Sequence, residues 1–221
     1  MNVSSKTAAL VATAAVVAVV GVSVVLSFGS SEPDRFAQCR KGVGSAAAKI
    51  GGPFTLVSET GATVTDKDVI TKPSLIYFGY TYCPDVCPID STRNAAAIDL
   101  LSTRGYDVTP IFISVDPTRD TPPVLSEFTD LMSPKMIGLT GTTEQVDAAV
   151  KAYRAYYMIR TPGDPATLVD HSTQTYLMDP KLGFLDYYDR DATPETVAES
   201  VGCFLDALKS EGATPGSGNG N

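Results

Sequence analysis

Apolar residues fall along this chain in three kinds of run, and each kind predicts a different element. The first is unbroken: from Thr7 to Ser31 no residue is charged, and Ala, Val and Leu fill its centre. A bilayer is crossed by about 20 apolar residues, whereas the apolar part of a cleavable leader runs only about 7–15. Gly29-Ser30-Ser31 has the small side chains of a cleavage site, but length favours an uncleaved transmembrane anchor over 7–31, with residues 1–6 before it. The stretch 32–50 follows as a linker with a short helical piece.

The second kind is short and apolar on both faces. Leu75 to Tyr80 and Val108 to Val115 read as buried central strands, with a shorter piece at Ile137–Leu139. The third kind is spaced. Ile89, Ala96, Ala97, Leu100 and Leu101 give Pro88–Arg104 a helical pattern, which Gly105 stops. Thr121-Pro122-Pro123 opens a helix to about Met132, and Thr142 or Thr143 caps another through about Tyr157. Thr193-Pro194-Glu195 starts the last helix, which ends near Lys209.

Two hairpins complete the pattern: Pro53–Val57 with Gly61–Thr65, and Thr173–Met178 with Phe184–Tyr188. Between them, Thr161–Val169 is a polar, proline-bearing loop, and the Gly/Ser/Asn-rich stretch 212–221 reads as a disordered tail. The order predicts an α/β domain over 51–211: a mixed sheet with helices on both faces, preceded by one N-terminal transmembrane helix.

Charge narrows the function classes. The chain carries 17 basic and 25 acidic residues, a formal −8, and −9 once Lys6 ahead of the anchor is left out. No basic patch suits nucleic acid; an acidic surface suits solubility or docking to a basic partner. Lys6 lies before the anchor, while Arg35, Arg40 and Lys41 follow it, which by charge count puts the C-terminal side in the cytoplasm. Long domains translocate largely regardless of flanking charge. The thiol chemistry puts the domain on the other side: a single-pass inner-membrane protein with its domain in the periplasm, or in the intermembrane space if mitochondrial.

That chemistry starts at Tyr82-Cys83-Pro84-Asp85-Val86-Cys87-Pro88, at the end of the first central strand and the mouth of a helix. A helix N-terminus favours the thiolate. With three intervening residues, Cys83 and Cys87 share a helical face with Cβ atoms about 5–6 Å apart, one more residue than the Cys-x-x-Cys redox motif. The spacing leaves room for an ion without forbidding a disulfide. Thiols ending the first crossover strand make the domain thioredoxin-like.

The only histidine, His171, precedes a predicted strand whose start lies against the dithiol end of such a fold. A Cys2His set suits Cu(I) or zinc, and three ligands suit a metal that is to be handed on better than structural zinc, which takes four. Asp170 is positioned to orient the ring, Asp85 lies between the thiols, and Asp116, Arg119 and Asp120 offer a charge-assisted network beside the site. The equal alternative for this last group is turn formation and helix capping. Cys39 and Cys203 flank the domain and can pair in an oxidising compartment; two buried free thiols are the alternative.

The cysteine segment, Ser114-Val115-Asp116-Pro117-Thr118-Arg119-Asp120-Thr121-Pro122 and Asp170-His171-Ser172-Thr173 resemble, in that order, the three signature blocks of the Sco/SenC proteins, and Gly138-Leu139-Thr140-Gly141 resembles another stretch of that family. The resemblance runs from about Gly51 to Leu208. It implies a membrane-anchored, thioredoxin-fold copper protein, with Cys83, Cys87 and His171 as ligands for Cu(I), Cu(II) or both. It also implies delivery to the dicopper centre of cytochrome c oxidase subunit II, or to another copper-accepting protein. An upstream periplasmic copper donor or a thioredoxin-like reductant would serve the same site.

Three activities compete on the residues alone. A metallochaperone needs both thiols and the imidazole. A thiol-disulfide reductase, keeping the acceptor's cysteines reduced, needs Cys83 and Cys87 but not His171. A peroxiredoxin-type enzyme needs an Arg and a Thr activating one cysteine; Arg93 is a candidate, but the pattern is missing.

Overall fold

The computed structural model describes residues 34–40 and 49–212. The anchor expected at 7–31, most of the linker and the tail beyond residue 212 lie outside the described residues. Among the described residues no helix is long and apolar enough to cross a membrane. Residues 34–37 belong to a first compact unit and form a turn, with Ala37 N–H donating to the Asp34 carbonyl at 2.9 Å. Everything below concerns the second unit, which starts at Gln38.

The core of that unit is a seven-stranded sheet. Its elements run β1 (Thr55–Ser58), β2 (Thr63–Thr65), α1 (Asp66–Val69), β3 (Ser74–Gly79), α2 (Val86–Thr103), β4 (Thr109–Ser114), α3 (Pro122–Met132) and β5 (Ile137–Thr140). After these come α4 (Thr143–Ala152), β6 (Tyr157–Ile159), β7 (Val169–His171), β8 (Thr175–Asp179), β9 (Gly183–Tyr188) and α5 (Pro194–Gly212). The strand order is β2-β1-β5-β4-β3-β8-β9. β3, β4 and β5 are parallel; β8 and β1 join antiparallel on either side. This is a mixed α/β, thioredoxin-like arrangement.

β3 explains why the sheet is central. All six of its residues are buried, and successive side chains point to opposite faces. Tyr77 faces α2, where its hydroxyl meets Asp90, and packs beside Phe112, which in turn meets Phe128 of α3. Phe78 faces the other way, onto Tyr153 at the end of α4. Helices therefore cover both faces. Each fully buried Phe, Leu or Ile contributes roughly 1.5–3 kcal/mol, and Phe78, Phe112, Leu75, Ile76 and Ile111 are all in this class.

Parallel pairing decides where the chemistry sits. β3, β4 and β5 end on one edge, at Gly79, Ser114 and Thr140. The chain leaving that edge carries Cys83 on a turn, Cys87 at the start of α2, Asp116 to Asp120, and the start of α4. β8 is antiparallel, with Tyr77 opposite Thr175, so it begins where β3 ends. The chain entering β8 thus reaches the same edge.

Two features differ from the expected elements. The helix expected to reach Tyr157 stops at Ala152: Tyr153 caps it, and Arg154 turns left-handed at φ 53°. The chain then forms a separate two-stranded sheet, with Tyr157 opposite His171 and Ile159 opposite Val169. The 161–169 loop is largely the tip of this hairpin, and His171 ends its second strand.

Cys39 and Cys203 are joined by a disulfide, sequence separation 164. Cys39 is buried, and its carbonyl accepts the Ser200 hydroxyl at 2.7 Å. Arg40 donates to the Leu185 carbonyl, so the arm leading into the unit is tied to both α5 and β9.

Candidate metal centre

Cys83, Cys87 and His171 each bring one donor atom into a cluster whose members all lie within 4.8 Å of one another. Three elements make this possible. β3 delivers the chain to the sheet edge, where a turn from Tyr80 (its carbonyl accepting Cys83 N–H at 3.3 Å) presents Cys83 half-exposed. α2 starts at Val86, so Cys87 falls in its first turn and points back into the core, buried. The β6–β7 hairpin supplies His171, whose Nε2 lies 3.2 Å from Cys87 Sγ.

The tautomer of His171 follows from its other contact. Nδ1 lies 2.8 Å from the Ser172 carbonyl, which can only accept. Nδ1 therefore carries the proton, and the Nε2 lone pair is turned on the sulfurs, as a metal-ligating imidazole requires. The ring stands edge-on to Tyr77 and Tyr80, with centroids 6.0 and 5.7 Å away.

The two sulfurs differ sharply. The backbone N–H of Cys87 donates to Cys83 Sγ at 3.3 Å. The Cys83 thiol is lowered to about 4, first by the hydrogen bond from the Cys87 thiol and then by the Asp85 and Cys87 amides, against the opposing effect of burial. Cys87 is pushed up, first by that same bond to the Cys83 thiolate and then by burial. In the reduced protein one thiolate faces outward and one thiol faces inward. Two soft sulfurs and an imidazole suit Cu(I) or zinc.

The flanking residues divide. Arg119 Nε is ion-paired to Asp116 and its Nη1 donates to the Pro165 carbonyl at 3.1 Å. Asp120 stands apart from this pair. Fully buried, it accepts the Thr81 N–H at 3.0 Å, the Thr81 hydroxyl at 2.6 Å and the Ser114 hydroxyl at 2.6 Å. It thereby ties the end of β4 to the turn before Cys83.

The expectation for Asp170 is corrected. Its carboxylate accepts Arg160 Nε at 2.9 Å, and the Ser172 carbonyl takes the ring N–H instead. Neighbours on a strand point to opposite faces, so Asp170 is turned away from the ring that His171 presents. The Asp85 side chain is exposed, and what it brings to Cys83 is its backbone N–H. Arg93 is committed elsewhere, to Thr175 Oγ1 at 2.8 Å, Asn94 Oδ1 at 3.1 Å and the Asp189 carbonyl at 3.1 Å. The activated-cysteine reading thus loses its arginine.

Sequence reasoning missed Tyr77, Tyr80, Asp90 and Ser172. Tyr77 donates to Asp90 at 2.9 Å, and burial holds the Asp90 carboxyl above its ordinary value. Tyr80 accepts the Val169 N–H at 3.3 Å, linking the turn before Cys83 to the hairpin. One signal was available: Cys87, Asp90 and Asn94 lie at i, i+3 and i+7, a polar stripe on a helix that is otherwise rich in alanine.

Comparison with known proteins gives a consistent picture. The family model described as SCO1/SenC matches residues 43–206. Protein SenC of Rhodobacter capsulatus is 81% identical over 221 residues, covering 100% of both chains. The mitochondrial SCO1 homolog 1 of Arabidopsis thaliana is 41% identical over 163 residues, which span 73% of this chain but only 49% of that relative. Among solved structures, Arabidopsis thaliana ScoI with copper bound aligns with a TM-score of 0.67 at 40% identity, covering 73% of this chain and 99% of that one.

Proposed function

Since the chain belongs to the SCO1/SenC family, we propose that it binds copper through Cys83, Cys87 and His171 and hands it on during cytochrome c oxidase assembly. The observation that carries this is the convergence of the three donor atoms within 4.8 Å. The donor set fits the ion: two sulfurs, one already a thiolate, and an imidazole lone pair held by the Ser172 carbonyl. A copper-bound structure of a 40% identical relative supports the same assignment.

The asymmetry of the thiols suits transfer. Cys83 is half-exposed and Cys87 buried, so an acceptor's ligand meets the ion from the Cys83 side while Cys87 and His171 hold it from within. We take the acceptor to be the dicopper centre of oxidase subunit II. The fitting experiment mixes copper-loaded, reduced full-length protein with the copper-free soluble domain of subunit II, separates the two, and follows growth of the copper content of that domain. Growth in step with copper loss supports delivery; copper retained by this chain in the presence of excess acceptor opposes it.

The cellular setting belongs to the same proposal. The anchor read at 7–31 would hold the chain in the inner membrane, with its domain in the periplasm. The Cys39–Cys203 disulfide supports an oxidising compartment.

A second reading is favoured by the lowered Cys83 thiol. Its thiolate attacks an acceptor disulfide, forming a mixed disulfide and releasing one acceptor thiolate. Cys87 then displaces the other. Two electrons pass to the acceptor as Cys83–Cys87 becomes a disulfide, and a thioredoxin-like dithiol restores the pair. His171→Ala separates the readings: it removes copper retention and leaves this reduction in place.

A further inference from the structure

The site has two halves with different supports. The sulfurs hang from the seven-stranded sheet through β3 and α2, whereas His171 sits on the β6–β7 pair, which joins no strand of that sheet. What keeps the imidazole on the sulfurs is therefore whatever bridges hairpin and body. One bridge is Tyr80, through the Val169 N–H and its ring edge against His171.

Tyr77 also meets the His171 ring, Tyr157 donates to Asp147 of α4 at 2.6 Å, and Val169 is buried in the core; a further bridge is Arg119. Its guanidinium lies over the Tyr82 ring at 4.6 Å and over the Tyr80 ring at 5.7 Å, on the turn that leads to Cys83. Its Nη1 donates to Pro165 in the hairpin tip, and its Nε is fixed by Asp116 just beyond β4. Nη2 is buried without a hydrogen-bond partner. One planar cation thus touches the cysteine turn, the hairpin carrying the histidine and the loop after β4. Only a guanidinium can stack flat on aromatic rings while donating along two in-plane directions; an ammonium cannot.

From this geometry we propose that Arg119 is a positioning residue for His171, clamping the β6–β7 hairpin over the cysteine turn so that Nε2 meets the sulfurs already aligned. The proposal rests on the copper-site reading for its consequence but not for its test. Losing two ring contacts and one hydrogen bond to backbone releases the hairpin by about tenfold in its opening equilibrium. The ion pair to Asp116 is lost as well and leaves that buried carboxylate without its cation, a cost that falls on the loop after β4, outside the strands of the core.

The test is hydrogen exchange on the full-length, reduced, copper-free protein, comparing wild type with Arg119→Met and Arg119→Lys. The reporter is the Val169 amide, bonded to Tyr80 across the bridge; β3 and β4 amides report the body. We expect Val169 to exchange about tenfold faster in Arg119→Met, with Arg119→Lys between that and wild type, and the β3 and β4 amides unchanged. Cu(I) affinity, measured by chelator competition, falls by a similar factor. Unchanged Val169 exchange in both variants overturns the proposal. So does a rise that is equal across Val169, β3 and β4, because that marks general destabilisation. Should wild type fail to hold copper, the copper reading fails, while the exchange result still decides the clamp.

Discussion

His171 Nε2 lies 3.2 Å from Cys87 Sγ, although 84 residues separate them in sequence. The contact joins a buried sulfur in the first turn of α2 to a ring at the end of a hairpin outside the main sheet. Fixing two such elements together costs chain entropy that their one contact does not repay. The aromatic slot of Tyr77 and Tyr80 and the Ser172 carbonyl share that cost. The site is thus held ready before any ion arrives.

Readiness has a pH signature. With its thiol lowered to about 4 by the bond from Cys87, Cys83 is thiolate above that value and loses its charge only as pH falls through it. Alkylation of Cys83 by iodoacetamide in reduced, copper-free protein should then run at near-constant rate from about pH 6 to about pH 8, where an ordinary thiol gains about tenfold per unit. Mass spectrometry of the modified peptide reads the rate. A tenfold climb per unit across that window would return Cys83 to ordinary behaviour.

Gly79 ends β3 at the point of closest approach to the site. A Cβ there would lie 2.9 Å from Tyr77 Cε1, 3.0 Å from Cys87 Sγ and 3.0 Å from Phe112 Cε2. All three neighbours are buried, so none moves freely. Gly79→Ala should cost about 1–3 kcal/mol in urea unfolding and weaken copper binding by displacing the sulfur. Wild-type stability and affinity together in this variant would mean that the core yields more easily than its packing implies.

The Cys39–Cys203 bond closes a loop with a sequence separation of 164. Chain-entropy reasoning assigns such a bond about 4–5 kcal/mol as an upper figure. Cys203→Ser should lower the urea midpoint accordingly while copper stoichiometry stays at the wild-type value, because α5 contributes no ligand. Lost stoichiometry with unchanged stability would contradict this separation of roles.

Much of the layout was legible because local pattern and global position agree. The apolar run at Leu75–Tyr80 could only be a central strand, so the cysteines after it had to stand at a sheet edge. Antiparallel entry into β8 then brought His171 to that edge. What escaped was non-local. Tyr153 and Tyr157 have helical spacing, which hid β6; the helix ends because Arg154 turns left-handed, and nothing in the residue type demands it. The Asp90, Arg93 and Asn94 network takes its partners from Tyr77 on β3 and from Thr175 and the Asp189 carbonyl, the last two more than 80 residues away. Asp170 misled through adjacency: next to the histidine in sequence, it points to the other face of the strand and meets Arg160.

Copper content decides the central claim most directly. Reduced full-length protein, loaded with Cu(I) and dialysed against a competing chelator, should retain about one ion per chain. Cys83→Ser, Cys87→Ser and His171→Ala should each lose most of it, with circular dichroism unchanged. Retention by His171→Ala equal to that of wild type would remove the imidazole from the site and contradict the account.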